Sequence, residues 1–331
     1  MINDATLASY VARLRLGDRV ALARAMTLVE SSHPRHQALS AQLLDAIMPD
    51  TGNAIRLGIT GTPGAGKSTF LDAFGMLLVG EGHRVAVIAV DPSSPISGGS
   101  LLGDKIRMSA LSRSSSAFIR PVPSGGYAGG TSQRARELIL LSEAAGYDVV
   151  IVETVGVGQS ETEVANIVDC FISLQIAGGG DELQGIKKGI MEMADLIVIN
   201  KDDGDNRQNV AAARQMYRSA LHILRQKYPQ WQPQVLSCSA QEKRGIDAVW
   251  QSINAFYTTL SHSGELTALR QKQAVAWLHQ QSEDALLSMV FNQPDFADAY
   301  QQTEQAVAQN RISPRAGMAQ IQQLIQRLFL T

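Results

Sequence analysis

The stretch "GTPGAGKS", Gly61 to Ser68, constrains this chain more than any other. It fits the pattern Gly-x-x-x-x-Gly-Lys-Ser/Thr, follows the strand-like run "IRLGIT" and opens a helical run at Lys67. A glycine-rich turn between strand and helix lets successive backbone N–H groups face inward around phosphate oxygens, and the helix N-terminus adds positive potential. The binding candidates are Gly61, Thr62, Pro63, Gly64, Ala65, Gly66, Lys67, Ser68 and Thr69. Lys67 is expected to reach the β- and γ-phosphates, and the Ser68 hydroxyl to bind Mg²⁺.

The rest of the chain fits a fold that can hold such a loop. "IRLGIT", "RVAVIAV", "AFIRPV", "DVVIVET", "CFISLQIA", "LIVINK" and "QVLSCSA" are short apolar runs rich in Val and Ile. Helical stretches such as "KSTFLDAFGMLLVGEG" and "TSQRARELILLSEAAG" separate them. Strands apolar on both faces predict a mostly parallel sheet covered by helices, so the fold class is α/β, a P-loop NTPase G domain. The run "RVAVIAVD" is expected to lie beside the P-loop strand. Before this region the pattern is helical, with Asp18 as an N-cap and Pro34 opening a further helix. After it, "ALRQKQAVAWLHQQSEDALLSMVF" is amphipathic. Ser313-Pro314 then starts a helix whose apolar face carries Met318, Ile321, Leu324, Ile325 and Leu328, to be covered by the central domain or by a second copy. The expected domains are an N-terminal helical region over 1–52, a P-loop domain over 53–260 and a C-terminal helical arm over 261–331.

Composition narrows the setting. With 331 residues, 45% of them hydrophobic, the chain can bury a large core. A formal charge of −2 gives no global attraction to nucleic acid or to an acidic membrane. No apolar run is long enough to span a bilayer, the N-terminus has no secretory h-region, and Cys170 and Cys238 are too few for a disulfide framework. A cytoplasmic protein is expected.

A second pattern bears on the base. "NKDD", Asn200 to Asp203, follows the strand-like "LIVI" and fits Asn-Lys-x-Asp, with Asn200, Lys201 and Asp203 in the motif positions. Guanine offers a ring N–H and an amino group on one edge, and the Asp203 carboxylate can accept both. Adenine lacks that donor pair and would leave a buried carboxylate unpaired. "SCSA" supplies Cys238, Ser239 and Ala240 for the backbone contact to the guanine oxygen, the other reading being an ordinary strand-end turn.

The catalytic and metal candidates lie at other strand ends. "ETVGVGQS" places Glu153 to hold Mg²⁺ through water and Gly156 to bring an N–H to the γ-phosphate. Val157 stands where many GTPases carry a water-orienting glutamine, which predicts slow intrinsic hydrolysis. Gln159 substitutes if the loop bends to bring it in; otherwise it is a plain loop residue. Asp91 ends its strand at the ligand edge of the sheet and is a candidate for Mg²⁺ or water positioning. The glycines and serines of "SGGSLLGDKIRM" suggest a mobile switch, the other reading of its charges being a solvated loop, and Asp104 joins Lys67, Asp91, Glu153 and Gln159 as catalytic candidates. Ser68, Asp91 and Glu153 form the metal set.

In combination "GTPGAGKST", "AVDPSSPISGGSLLGDKIRM", "ETVGVGQSE", "AGGGDELQGIKKGIMEMAD" and "NKDD" resemble the MeaB/ArgK family of GTPases along the whole G domain. The resemblance implies a GTPase, using Mg²⁺ with GTP or GDP, that is a chaperone for adenosylcobalamin-dependent methylmalonyl-CoA mutase. It gates cofactor loading, protects the mutase and forms a homodimer through its C-terminal arms. An older label for the family implies an ATPase or kinase serving arginine and ornithine transport. No Asp-x-His-x-x-Gly sequence surrounds any histidine, so cobalamin is expected to belong to the partner. A metallochaperone GTPase is the other class; His33 and His36 have no cysteine alongside for it. The glycine loop Ala177 to Gly189 lacks a Gly-Lys-Ser ending, yet follows a strand of the same sheet. Asp181, Glu182, Lys187 and Lys188 make it a candidate third switch, exchanging ion-pair partners between nucleotide states and read by the partner.

Overall fold

Seven apolar runs form strands in the computed structural model, which describes residues 4–31, 33–91, 107–123, 130–154, 160–177, 188–224 and 226–330. They are β1 (Ile55–Gly61), β2 (Val85–Asp91), β3 (Ala117–Pro123), β4 (Val149–Thr154), β5 (Cys170–Ile176), β6 (Leu196–Asn200) and β7 (Gln234–Ser237). Every neighbouring pair among the described residues is parallel, in the order β3-β2-β4-β1-β5-β6-β7. All strands therefore end at one edge, and the loops leaving that edge share a rim.

One expectation is corrected here: β2 does not lie beside the P-loop strand. β4 stands between them, pairing Val149–Glu153 with Ile55–Ile59 on one side and with Val85–Ala89 on the other. Every residue of β4 is buried. A strand apolar on both faces is stable only where both are covered, which favours an interior place. Asp91 is consequently one strand further from the P-loop than the sequence suggested, a displacement of about 4.8 Å.

The helices follow from their caps and apolar faces. The first three are α1 (Asp4–Arg15), α2 (Arg19–Val29) and α3 (Pro34–Ile47). Asp18 caps α2, its Oδ1 accepting from Val20 N at 2.9 Å and Ala21 N at 3.1 Å. Helices α4 (Lys67–Gly80), α5 (Ser109–Arg113), α6 (Gly130–Ala144), α7 (Ser160–Ala165), α8 (Lys188–Met193), α9 (Arg207–Ile223) and α10 (Ile246–Ser263) alternate with or follow the strands. The N-terminal helices pack on α6 and reach the β3 edge, where the Arg120 guanidinium pairs with Glu30. Phe70 and Phe74 of α4 stack at 5.5 Å, and Trp250 of α10 meets Phe74 edge-on. Burying each ring contributes about 2–3 kcal/mol, which fixes the helix that starts at the P-loop. Cys170 and Cys238 are both buried and free.

The chain divides into two compact units, Met1–Arg270 and Gln271–Thr331. Helix α11 (Glu265–Phe291) begins in the first and continues into the second. The second unit also holds α12 (Pro294–Ala308) and α13 (Pro314–Leu330), which pack together. Ser313 Oγ accepts from Ala316 N at 3.2 Å, as its sequence position implied. The α13 face divides: Ile321 is buried, whereas Met318 is 52% exposed. Val275, Leu278, Leu286 and Met289 of α11 are exposed and recur at helical spacing on one stripe. No helix among the described residues is long and apolar enough to cross a membrane.

Candidate functional site

The phosphate loop springs from the end of β1, between β4 and β5. Gly61 sits so close to β5 that a side chain there would strike the Leu174 carbonyl. Ala65 N donates to Thr62 O at 3.0 Å, closing the turn, and Gly66 enters α4 at φ 83°. Lys67 Nζ donates to Gly61 O at 2.8 Å. Burial pulls the Lys67 ammonium below the usual lysine range, while the nearby carboxylates of Glu153 and Glu161 oppose that shift. Thr62 Oγ1 is buried without a hydrogen-bond partner among the described residues. Pro63 and Gly64 are exposed, Ser68 is half-buried and Thr69 is exposed, so the loop is open to the rim.

The metal candidates are hard oxygen donors, the chemistry Mg²⁺ requires. Glu153 is 7% exposed near the end of β4, level with Ala89 of β2 and Ile59 of β1. The Ser68 hydroxyl lies in the first turn of α4, and Asp91 ends β2. Thr154 Oγ1 donates to Thr60 Oγ1 at 3.0 Å, holding the ends of β4 and β1 together beside them. A hydroxyl and a carboxylate are donors of the kind that phosphate oxygens and water complete to six, so the chemistry of Ser68 and Glu153 fits Mg²⁺.

Asn200 joins the phosphate loop to the second motif. At the end of β6 its Nδ2 donates to Ala65 O at 2.8 Å and its Oδ1 accepts from Ala240 N at 3.0 Å. The Cys238 thiol contacts the same Oδ1 at 3.6 Å. Asp203 accepts a short hydrogen bond from Ser239 Oγ, and Ser239 Oγ accepts from Glu242 N at 3.0 Å. Lys201 takes φ 62°, which turns the chain between Asn200 and Asp203. The fold thus assembles Asn200, Lys201, Asp203, Cys238, Ser239 and Ala240 around one junction with Ala65. Burial pushes the Cys238 thiol up to about 12, with Asp202 reinforcing the shift and Arg244 opposing it. It stays protonated and acts as packing rather than as a nucleophile.

Asp104, Gly156, Gln159, Asp181, Glu182 and Lys187 lie outside the described residues, as do the side chains of Asp91 and Lys188. The strands that precede the first six in the chain, β2, β4 and β5, end at the same rim. Sequence reasoning missed Glu161, a 2% exposed carboxylate in the first turn of α7 and within electrostatic reach of Lys67. Its only signal was an acidic residue opening a helix directly after a strand-end glycine loop. It assigned no role to Asp202 and Ser237, which lie inside the two quoted stretches and bond to each other, and it missed Arg244, which pairs with Asp202.

The profile described as "Methylmalonyl Co-A mutase-associated GTPase MeaB" matches residues 22–295. The chain is 69% identical over 329 residues to GTPase ArgK of Escherichia coli (strain K12), covering 99% of both. It is 44% identical over 308 residues to the mitochondrial methylmalonic aciduria type A homolog of Mus musculus, covering 90% of this chain and 74% of that one. A crystal structure described as an LAO/AO transport system kinase superposes with a TM-score of 0.78 at 63% identity, over 98% of this chain and 99% of the other.

Proposed function

Since the chain belongs to the MeaB family of P-loop GTPases, we propose that it is a GTP-driven chaperone of adenosylcobalamin-dependent methylmalonyl-CoA mutase. It gates cofactor loading and protects the mutase. GTP hydrolysis itself is the family's activity. The observation that carries the nucleotide reading is Asn200, one side chain bonded to both the phosphate loop and the "SCSA" turn. Such a link sets the distance between phosphates and base, which a nucleotide-binding pocket needs and a scaffold does not.

In this reading Gly61 to Thr69 wrap the phosphates and Lys67 leaves Gly61 O to neutralise the β- and γ-phosphates. Ser68, Asp91 and Glu153 hold Mg²⁺, which when bound spreads the charge that develops on the phosphates. Gly156 approaches the γ-phosphate, while Asp104 and Gln159 position water. Asp203 accepts the two donors of guanine. The loop with Asp181, Glu182, Lys187 and Lys188 reports the nucleotide state to the partner. Cobalamin stays with the mutase. The exposed stripe of Val275, Leu278, Leu286 and Met289 supports a homodimer through the arm.

The mouse relative's name and the family description support the mutase as partner. A transport-linked kinase is the second reading, favoured by the name of the 63% identical crystal structure. One experiment separates them: capture of native partners from cells, followed by GTP and ATP hydrolysis rates with and without the captured protein. The chaperone reading expects slow GTP turnover, accelerated by the mutase, and state-dependent binding. Equal mutase binding to GTP- and GDP-loaded protein with no change in rate would overturn it, as would a preference for ATP.

A further inference from the structure

Asp202 is the residue of "NKDD" that base recognition leaves without a task, yet it is among the most heavily tied in the motif. Its backbone N–H donates to Cys238 O at 3.0 Å. Its Oδ2 accepts from Ser237 Oγ at 2.9 Å and lies 3.7 Å from Arg244 Nη1. Arg244 Nη2 donates a short hydrogen bond to the Asp202 carbonyl as well. We propose that Arg244 and Asp202 form a clamp that positions the Asp203 carboxylate, and that this clamp sets how strictly the site demands guanine. The proposal rests on the guanine-nucleotide reading above.

The contacts close a ring. Arg244 N donates to Ser239 O at 3.0 Å and Ser239 N to Arg244 O at 2.9 Å, an antiparallel bridge across the turn. Ser239 Oγ in turn donates to Asp203. Arg244 therefore reaches Asp203 by two routes: its guanidinium through the backbone of Asp202, the residue before Asp203, and its own backbone through Ser239, whose side chain donates to Asp203; only the first depends on the Arg244 side chain. Two further features say that this arrangement is imposed. Lys201, directly before Asp202, holds φ 62°, and Lys243, directly before Arg244, holds φ 55°. Side chains other than glycine enter that region only when surrounding contacts offset the strain. Gly245 completes the turn at φ 75°, where a Cβ would stand 2.7 Å from Ser237 O. The other charged group on the clamp is Glu242, 3.3 Å from Arg244 Nη2 and 4.0 Å from Arg207.

A carboxylate that accepts two parallel hydrogen bonds needs tighter placement than one that accepts a single bond. Guanine offers two donors to Asp203, and hypoxanthine offers only the ring N–H. A loosened Asp203 forfeits the second bond first. Loss of the clamp should therefore weaken GDP more than IDP, whereas general destabilisation of the fold would weaken both alike. A guanidinium fork can bond the Asp202 carbonyl and face its carboxylate together, which an ammonium cannot do in the same geometry.

The test uses the full chain with Mg²⁺ and measures dissociation constants for GDP, IDP and ADP, with melting temperatures. Arg244→Ala is expected to weaken GDP about tenfold and IDP by less than about threefold, the scale of one hydrogen bond to a charged group. Arg244→Lys is expected to recover the melting temperature but not the GDP-over-IDP preference, and it carries the test if Arg244→Ala does not fold. A wild-type GDP-over-IDP ratio in both variants overturns the clamp. A wild type that fails to prefer GDP over ADP overturns the guanine reading instead, so the two failures are distinguishable.

Discussion

Gly66 illustrates how little freedom single positions have at this site. It sits at φ 83°, and a Cβ on it would stand 2.8 Å from Asn200 Nδ2. Gly66→Ala adds backbone strain of about 1–2 kcal/mol and displaces the amide that bridges Ala65 and Ala240. We expect nucleotide affinity to fall by at least about tenfold, while the melting temperature drops only a few degrees, because the core is untouched. Isothermal titration with GDP alongside a thermal melt checks both. Asp195, far from the rim, shows a different constraint. Burial raises its carboxyl to about 6 from the ordinary 3.8, against the pull of the Lys227 ammonium at 3.1 Å and the Phe171 N–H at 2.8 Å. The folded protein then keeps this proton over a range where the unfolded chain has released it. Stability from this group is present below about pH 4 and is lost as pH rises to about 6, by roughly 3 kcal/mol. Asp195→Asn keeps the acceptor for Phe171 N and should gain stability relative to wild type between pH 4 and pH 7. Parallel urea titrations at the two pH values measure it, and a pH-independent difference would refute it.

Among the elements, α4, which starts at the P-loop, is tied along its length to α5. Asp72 of α4 accepts from Leu111 N at 2.8 Å and Ala110 N at 3.4 Å, capping α5 from another helix. Gly75, one turn on, lets the Leu111 side chain lie directly against α4. Asp72→Ala removes the cap and should cost about 1 kcal/mol, with the larger amide-exchange increase confined to α5. Exchange that rises equally across the sheet would contradict a local role. The strands themselves were legible because continuous Val and Ile runs have no other stable setting. Their order was not, since β4 enters between β1 and β2 through pairings that no local pattern records. At the site, the glycine loop and "NKDD" were readable because their chemistry is local in sequence. Glu161, Ser237 and Arg244 were not, because each acts on a residue brought to it only by the fold.

At the scale of the molecule, Arg270 closes the first compact unit. Its guanidinium meets both oxygens of Asp169, at 2.9 and 2.6 Å, and donates to the carbonyls of Gly52 and Ala54. Tyr257 OH donates to the same carboxylate at 2.6 Å, and Arg56 of β1 donates to it through its backbone at 3.1 Å. The Asp169 side chain has no solvent exposure. Arg270→Ala leaves that charge without its cation and should destabilise by about 3–5 kcal/mol; Arg270→Lys, lacking the fork, should recover only part. Urea unfolding of the full chain measures both. The Asn200 junction has one more consequence. Its partners are separated from it by 135 residues in one direction and 40 in the other. Contacts that span so much chain form late, after the strands between them have found their places. A ligand held by that junction recognises the finished structure and not its precursors, so GDP should leave the refolding rate unchanged and slow unfolding. The nucleotide would lengthen the life of the native state without hastening its birth.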